Sequence, residues 1–329
     1  MNSGSSILRW GILSTARINR ALIKPLRASK RNILVAVASR DMVRADQYAR
    51  EWKIPKAYGR YEDLLSDPDI DVIYNPLPNG LHAEWTVRAA QSGKHVLCEK
   101  PLALSFDEIQ AMKEAVQQSK VVIAEAFMYR HHPQTLKVKE MVDTGAIGDL
   151  CLIRGSFTFN LKRKDDVRLD PALGGGSVWD VGCYPISYSR AMIGKEPVEV
   201  FGWQWTGPSG VDEVFTGQIR FAGNVLTQFD CGFRGLFRAT MEIVGTSGAI
   251  FIPNPFKPGK KEKIVLTRDE EKEIIQINGP ELYSGEVEDL ADAVLLGRAP
   301  RISLEDSAGN LATILALYQS AKENRPISI

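Results

Sequence analysis

The sequence predicts an α/β chain in two parts: an amino-terminal doubly wound parallel sheet, and a carboxy-terminal α+β part built on a large open, mainly antiparallel sheet. Three observations carry this. Six short apolar runs before residue 125 are mostly separated by helical patterns, as expected of strands joined by crossover helices. From Glu125 the pattern changes to long alternating stretches with short turns, which suits antiparallel pairing. Before that change, Val96-Leu97-Cys98-Glu99-Lys100-Pro101-Leu102 runs an apolar strand straight into an acid, a base and a proline. Strand carboxyl ends are where such sheets bind ligands.

At 329 residues the chain has room for two cores. Domains are expected over residues 1–124 and 125–329. With 41 basic and 40 acidic side chains the net charge is +1, so no global field draws the protein to nucleic acid or to a membrane surface. Met1 to Ser6 lacks the charged and apolar regions of a signal peptide, and no apolar run approaches a membrane span. Cys98, Cys151, Cys183 and Cys231 lie far apart with no Cys-x-x-Cys, the pattern of free thiols in a reducing compartment. A cytoplasmic location is expected. The four histidines match no zinc spacing, so no metal site is expected. The basic run from Lys257 to Lys263 is interrupted by Pro258, Gly259 and Glu262 and reads as a solvated hairpin tip.

In chain order, Ile7 to Leu13 reads as the first strand and Ser14-Thr15-Ala16 as a tight turn into a helix, which Pro25 should kink or break. Ile33 to Ala38, Ala57-Tyr58, Ile70 to Tyr74, His95 to Cys98 and Val121 to Ala124 continue the repeat. Asp41 suits a helix cap, and Ser105 with Glu108 forms a capping box. A helix from Gln134 to Thr144 follows. Strands are then expected at Leu150 to Leu161, Val198 to Thr206, Phe215 to Phe221, Val225 to Phe233, Ala239 to Val244, Ile264 to Thr267 and Glu273 to Ile277. Helices at Ser284 to Leu296 and Leu304 to Glu323 close the chain. Phe201, Trp203 and Trp205 alternate on one strand face, which fits a dimer interface or plain core.

Dinucleotide folds seat pyrophosphate on a helix amino terminus through a G-x-G-x-x-G turn. Here the three glycine positions hold Ser14, Ala16 and Asn19. Small Ser and Ala still permit close approach, and the serine hydroxyl can donate to a phosphate. Ser14, Thr15, Ala16, Arg17 and Ile18 are therefore candidate cofactor residues, against the alternative of a turn with no ligand. The second strand ends in Ser39-Arg40 where an NAD enzyme usually carries an acid. A hydroxyl and a guanidinium suit a 2′-phosphate, so NADP is favoured, with Arg44 one turn on. The alternative leaves Arg40 at the surface and turns Asp41 to the ribose. Leu77, Pro78 and Asn79 form a proline-stiffened loop suited to a wall along the nicotinamide. His82 either contacts the cofactor or caps and packs. Glu99 can hold the Lys100 ammonium or a cofactor hydroxyl.

These stretches, taken in order with Gly93-Lys94-His95 through Leu102 and Gly174-Gly175-Gly176-Ser177-Val178-Trp179-Asp180-Val181-Gly182-Cys183-Tyr184, resemble the glucose-fructose oxidoreductase, inositol dehydrogenase and MocA family over nearly the whole chain. The resemblance implies a Rossmann domain, an open mixed sheet, hydride transfer at a carbinol carbon, and a catalytic Lys100. Tyr184, where many members carry His, is similar to the NADP-dependent xylose dehydrogenase and dimeric dihydrodiol dehydrogenase branch. Glu125 to Arg130 and Arg168-Leu169-Asp170 look like that branch too, which implies cofactor contact by Arg168. A homodimer through the carboxy-terminal sheet is the family expectation.

The glycine run predicts a loop that lets a ligand approach, then a helix with Asp180 and Tyr184 at i, i+4 on one face. Reduction of a carbonyl builds negative charge on oxygen, so the site needs a proton donor and a positive neighbour. The expected roles are Tyr184 as general acid and base, Lys100 as electrostatic partner and hydrogen-bond donor, and Asp180 as orienter of Lys100 or of a sugar hydroxyl. The alternative assignment places the proton on Lys100. The substrate expected is a small sugar or polyol, as in a xylose dehydrogenase or ketosugar reductase. Dihydrodiol oxidation and a catalytically silent dinucleotide sensor are the alternatives.

Overall fold

Each apolar run of the amino-terminal part becomes a strand of one parallel sheet in the computed structural model, which describes residues 7–269 and 271–329. Strand β1 (Leu8–Leu13) leads into helix α1 (Asn19–Ala28), β2 (Asn32–Ala38) into α2 (Met42–Trp52), and β3 (Lys56–Tyr58) into α3 (Tyr61–Leu65). Then come β4 (Val72–Asn75), α4 (His82–Gln91), β5 (His95–Glu99), α5 (Phe106–Ser119) and β6 (Ile123–Ala126). The strand order is β3-β2-β1-β4-β5-β6, all parallel. Strand order reverses between β1 and β4, and the crevice beyond the strand ends at such a point is a ligand site. The reading of Met1 to Ser6 lies outside the described residues.

Local chemistry explains the element ends. The Asp41 carboxylate accepts the Val43 N–H at 2.8 Å and the Arg44 N–H at 3.4 Å, capping α2. Ser105 accepts the Glu108 N–H at 3.3 Å, and the Glu108 carboxylate reaches back to the Leu104 N–H at 2.6 Å. Pro25 does not break α1, one of the two outcomes expected of it. It lies on the buried face with Leu22, Ile23 and Leu26, near the end of the helix. Only one helical bond is lost there, and the Ser29 N–H closes the last turn on the Pro25 carbonyl at 3.1 Å.

Helix α6 (Pro133–Asp143) precedes β7 (Leu150–Asn160), α7 (Cys183–Ile193), β8 (Pro197–Thr206), β9 (Asp212–Phe221) and β10 (Leu226–Gly232). Next are β11 (Arg234–Gly245), β12 (Ala249–Ile252), β13 (Lys261–Arg268), β14 (Glu271–Asn278), α8 (Ser284–Leu296), α9 (Leu304–Glu323) and β15 (Ile327–Ser328). The second sheet has the order β14-β13-β12-β11-β7-β10-β9-β8-β15. Its pairs are antiparallel except β7 with β10. Strands β12 and β15 are not expected from the sequence; at four and two residues they are too short to show a period.

One face of this sheet is covered and the other is bare. In β9, Phe215, Gly217, Ile219 and Phe221 are buried while Thr216, Gln218 and Arg220 are exposed. Register places Ile274, Val265, Phe251, Glu242, Arg154, Gln228, Gln218 and Phe201 in one row across the bare face. Apolar side chains hold its two ends, with the Arg154–Glu242 pair at 3.4 Å between them. Trp203 and Trp205 extend one end and are 58% and 44% exposed.

Two units result: the chain through Met128 with Tyr283–Ser307, and Tyr129–Leu282 with Ala308–Ile329. Helix α8 thus returns to the first unit, unlike the continuous 125–329 division read from sequence. Arg31 explains this, pairing with Glu288 and Asp292 at 2.5 Å each. Among the described residues no helix is long and apolar enough to cross a membrane. The four cysteines are free thiols, and only Cys151 is exposed.

Candidate active site

In the first unit the turn after β1 keeps the required shape without its glycine. Ser14 adopts φ +67°, the left-handed region that favours glycine, at a cost of roughly 1–2 kcal/mol. Two contacts offset that cost. The Ser14 hydroxyl accepts the Ala16 N–H at 3.2 Å, and the Asn19 amide donates to the Ser14 carbonyl at 3.0 Å. A hydroxyl that accepts in this way can still donate to a phosphate. Thr15, Ala16, Arg17 and Ile18 complete the turn into α1.

At the end of β2, Ser39 is buried and its N–H bonds to the Tyr58 carbonyl at 2.9 Å. Arg40 is exposed. Arg40 and Arg44 both act on Tyr61, whose phenol is pushed up by burial and pulled back by these two cations. Among the described residues neither arginine is paired with an acid. Asp41 serves the α2 cap through its Oδ1 oxygen.

The loop after β4 is fixed from beneath. Asn75, fully buried, donates to the His82 carbonyl and to Thr86, both at 3.1 Å, and accepts the Leu77 N–H at 3.3 Å. Leu77 is buried, while Pro78 and Asn79 lie at the loop's half-buried rim. Direct cofactor contact by His82 is not supported. The residue is 1% exposed, with Nδ1 at 2.7 Å from the Pro101 carbonyl oxygen and Nε2 at 2.7 Å from that of Leu77. Burial lowers its pKa to about 4 despite those two carbonyls. The neutral ring has one N–H, so its tautomer selects which carbonyl it donates to.

Lys100 follows β5, half-buried, and its bond to Pro101 is cis. Glu99 accepts the Tyr74 hydroxyl at 2.6 Å, so one carboxylate oxygen is committed to the sheet. Glu125, which the sequence reading gave no role, accepts the Leu102 N–H at 2.9 Å and the Ser307 hydroxyl at 2.6 Å. Glu286 on α8 is 1% exposed, and among the described residues neither of its carboxyl oxygens has a hydrogen-bond partner. Burial, then the charge of Glu99, holds its pKa well above the ordinary 4.5.

An acid held more tightly protonated in the folded state stabilises the fold below its unfolded pKa, and loses that contribution as pH rises through the folded value. Glu286→Gln should therefore raise Tm, with a larger gain at pH 8 than at pH 5. Thermal melts across that range check it, and an equal gain at both pH values would contradict the sign.

In the second unit Gly175 and Gly176 make room for other atoms of the protein itself. A Cβ on Gly175 would lie 2.6 Å from the Arg168 carbonyl oxygen, and one on Gly176 2.3 Å from Asp212 Oδ1. Gly176 also needs φ +132°, open in practice only to glycine. Asp212, 3% exposed, accepts the Ser177 hydroxyl at 2.7 Å, the Val178 N–H at 2.9 Å and the Tyr318 hydroxyl at 2.6 Å. It thereby anchors the start of the segment bearing Asp180 and Tyr184.

That segment is not one uniform α-helix. Val178–Gly182 forms a π turn before α7 begins at Cys183, and such turns recur at functional sites. Gly182 admits Cys231, whose sulfur would lie 2.9 Å from an added Cβ. Asp180 accepts the Arg168 Nε–H at 2.7 Å, and Arg168 also binds Asp166 at 3.0 Å. The carboxylates, Asp180 foremost, raise the Arg168 pKa further. Within this unit Arg168 is thus an anchor for Asp180, a pairing the sequence did not indicate. Tyr184, 4% exposed, sits among Phe157, Phe256 and Tyr129 with ring centroids 5.3, 5.5 and 5.7 Å away.

A parallel sheet of this order, with cation-bearing strand ends and a separate open sheet, defines the class of two-part proteins that pair a dinucleotide-binding unit with a second, sheet-based unit. The chain belongs to the GFO/IDH/MocA oxidoreductase family: residues 8–127 match its NAD-binding Rossmann-fold domain and residues 135–251 its C-terminal domain. It is similar to D-xylose 1-dehydrogenase (NADP(+)) 2 of Haloferax volcanii, 36% identical over 98% of this chain and 100% of that protein. It is also similar to trans-1,2-dihydrobenzene-1,2-diol dehydrogenase of Xenopus laevis, 31% identical over 93% of this chain and 96% of that one. Among solved structures, the 3-ketoreductase KijD10 of Actinomadura kijaniata in complex with NADP and TDP-benzene superposes with a TM-score of 0.91. That match is 28% identical and covers 96% of this chain and 98% of the other.

Proposed function

We propose that this protein is an NADP-dependent oxidoreductase acting on a carbinol or carbonyl carbon of a sugar or related polyol. The observation that carries the cofactor choice is the Arg40–Arg44 pair, with no acid partner among the described residues, at the end of β2 where an NAD site places a carboxylate. The cofactor names of its relatives support the same choice. Bound NADP would supply or accept the hydride. Arg40 and Ser39 would hold the 2′-phosphate, the Ser14–Ile18 turn the pyrophosphate, and Leu77, Pro78 and Asn79 the nicotinamide side.

The chain's own residues handle the proton. Tyr184 gives its hydroxyl proton to the nascent alkoxide in reduction and takes it from the carbinol in oxidation. The ammonium of Lys100 steadies negative charge on the substrate oxygen. Asp180, set by Arg168, binds a substrate hydroxyl. We propose further that two copies pair through the bare face of the second sheet, whose apolar row ends suit a second copy. A cytoplasmic location accords with the free thiols.

Fluorescence titration with NADPH and NADH, followed by a panel of aldoses, ketosugars and cyclic diols, tests the function. NADPH is expected to bind at least about tenfold more tightly, a difference within reach of one charge-assisted phosphate contact. Equal affinities would overturn the cofactor choice, and tight binding without turnover on the whole panel would favour a sensor. Sedimentation at micromolar concentration tests the pairing: a species at the 36.5 kDa chain mass alone would refute it.

A further inference from the structure

The peptide group between Pro101 and Leu102, one residue past Lys100, is gripped on both edges by buried side chains. Its carbonyl oxygen lies 2.7 Å from His82 Nδ1 and its N–H donates to Glu125 at 2.9 Å. A trans peptide presents oxygen and hydrogen on opposite sides, so the two contacts together fix the rotation of that plane. Glu125 is secured in turn by the Ser307 hydroxyl at 2.6 Å, and the His82 ring lies between the Pro101 and Leu77 carbonyl oxygens, 2.7 Å from each, with its one N–H donated to one of them. His82 is 1% and Glu125 3% exposed, so water does not compete for these bonds.

We infer that His82 and Glu125 are positioning residues that clamp the Pro101–Leu102 peptide and so set where Lys100 presents its ammonium. They differ in reach. Glu125 ties the turn to Ser307, whereas the His82 ring lies against the carbonyls of both Pro101 and Leu77, the latter in the proposed cofactor wall. Loss of Glu125 should therefore disturb the lysine alone, and loss of His82 both the lysine and NADPH binding. The inference rests on the proposed roles of Lys100 and of the Leu77–Asn79 loop.

Glu125→Ala, Glu125→Gln and His82→Ala test it with three measurements: turnover on the sugar panel, NADPH affinity by fluorescence, and the acetylation rate of Lys100 by mass spectrometry. A small displacement of a catalytic group can cost up to about a hundredfold in rate. Glu125→Ala is expected to lower turnover at least roughly tenfold and to change Lys100 acetylation at least about threefold, with NADPH affinity within about threefold. Glu125→Gln, which keeps an oxygen for the Leu102 N–H, should restore all three. His82→Ala should also weaken NADPH at least about fivefold, the scale of one buried hydrogen bond. If Glu125→Ala does not fold, Ser307→Ala replaces it and should shift Lys100 acetylation in the same direction. Variants that change Tm but leave Lys100 acetylation and NADPH affinity as in the wild type overturn the inference. A wild-type protein without turnover defeats the proposed function instead, and the acetylation and affinity measurements still decide the clamp.

Discussion

Replacing Lys100 by methionine is expected to lower turnover by roughly a hundred- to a thousandfold, the scale for removing one preorganised donor from a developing oxyanion, while NADPH still binds within about threefold. Methionine keeps the length and apolar stem of lysine and removes the charge. The surrounding frame has hydrogen bonds of its own: Glu99 accepts the Tyr74 hydroxyl, Glu125 accepts the Leu102 N–H, and His82 lies against the Pro101 carbonyl. Lys100→Arg restores charge but brings a planar fork in place of a compact ammonium, so only partial recovery is expected. Steady-state kinetics beside NADPH titration measure this; full activity in the methionine variant would remove Lys100 from the mechanism.

Tyr184→Phe should cut turnover by about a hundredfold or more, the usual scale for a catalytic acid or base, and flatten the pH dependence that the phenol imposes. The substitution is unusually clean here. Tyr184 packs through its ring against Phe157, Phe256 and Tyr129, and phenylalanine keeps that packing. The bond from the Tyr129 hydroxyl, at 3.4 Å, goes to the Tyr184 backbone carbonyl and survives as well. Loss of the hydroxyl is thus separated from loss of the ring. An effect on turnover below about threefold would shift the proton to Lys100, the alternative assignment.

Most of the fold is legible because its signals are local. Period-two and helical patterns place six strands of the first sheet within about two residues, and helices α8 and α9 match their expected limits. Asp41 and Ser105 cap as read, because a cap involves neighbours only. The site is harder. Ser14 reproduces a glycine's positive φ with help from Asn19, and the spelling of the turn does not show it. His82 reads in sequence as either a cofactor contact or a capping and packing residue, and the buried, packed placement comes from the fold, which carries the Pro101 carbonyl to its ring.

Periodicity, caps and the Glu-Lys-Pro strand end were therefore enough to mark two sheets, the order of their elements and the neighbourhood of Lys100. Which polar group meets which was decided by tertiary structure. Arg168 finds Asp180 12 residues on, Ser177 finds Asp212 35 residues on, and Tyr318 reaches the same carboxylate across 106. Ser307 meets Glu125 across 182. A buried carboxylate must find hydrogen-bond donors or stay protonated, but that demand names no partner. Asp212 and Glu125 find donors through chain crossings, while Glu286 finds none among the described residues and is held toward its protonated form, a difference that no local pattern of residues encodes.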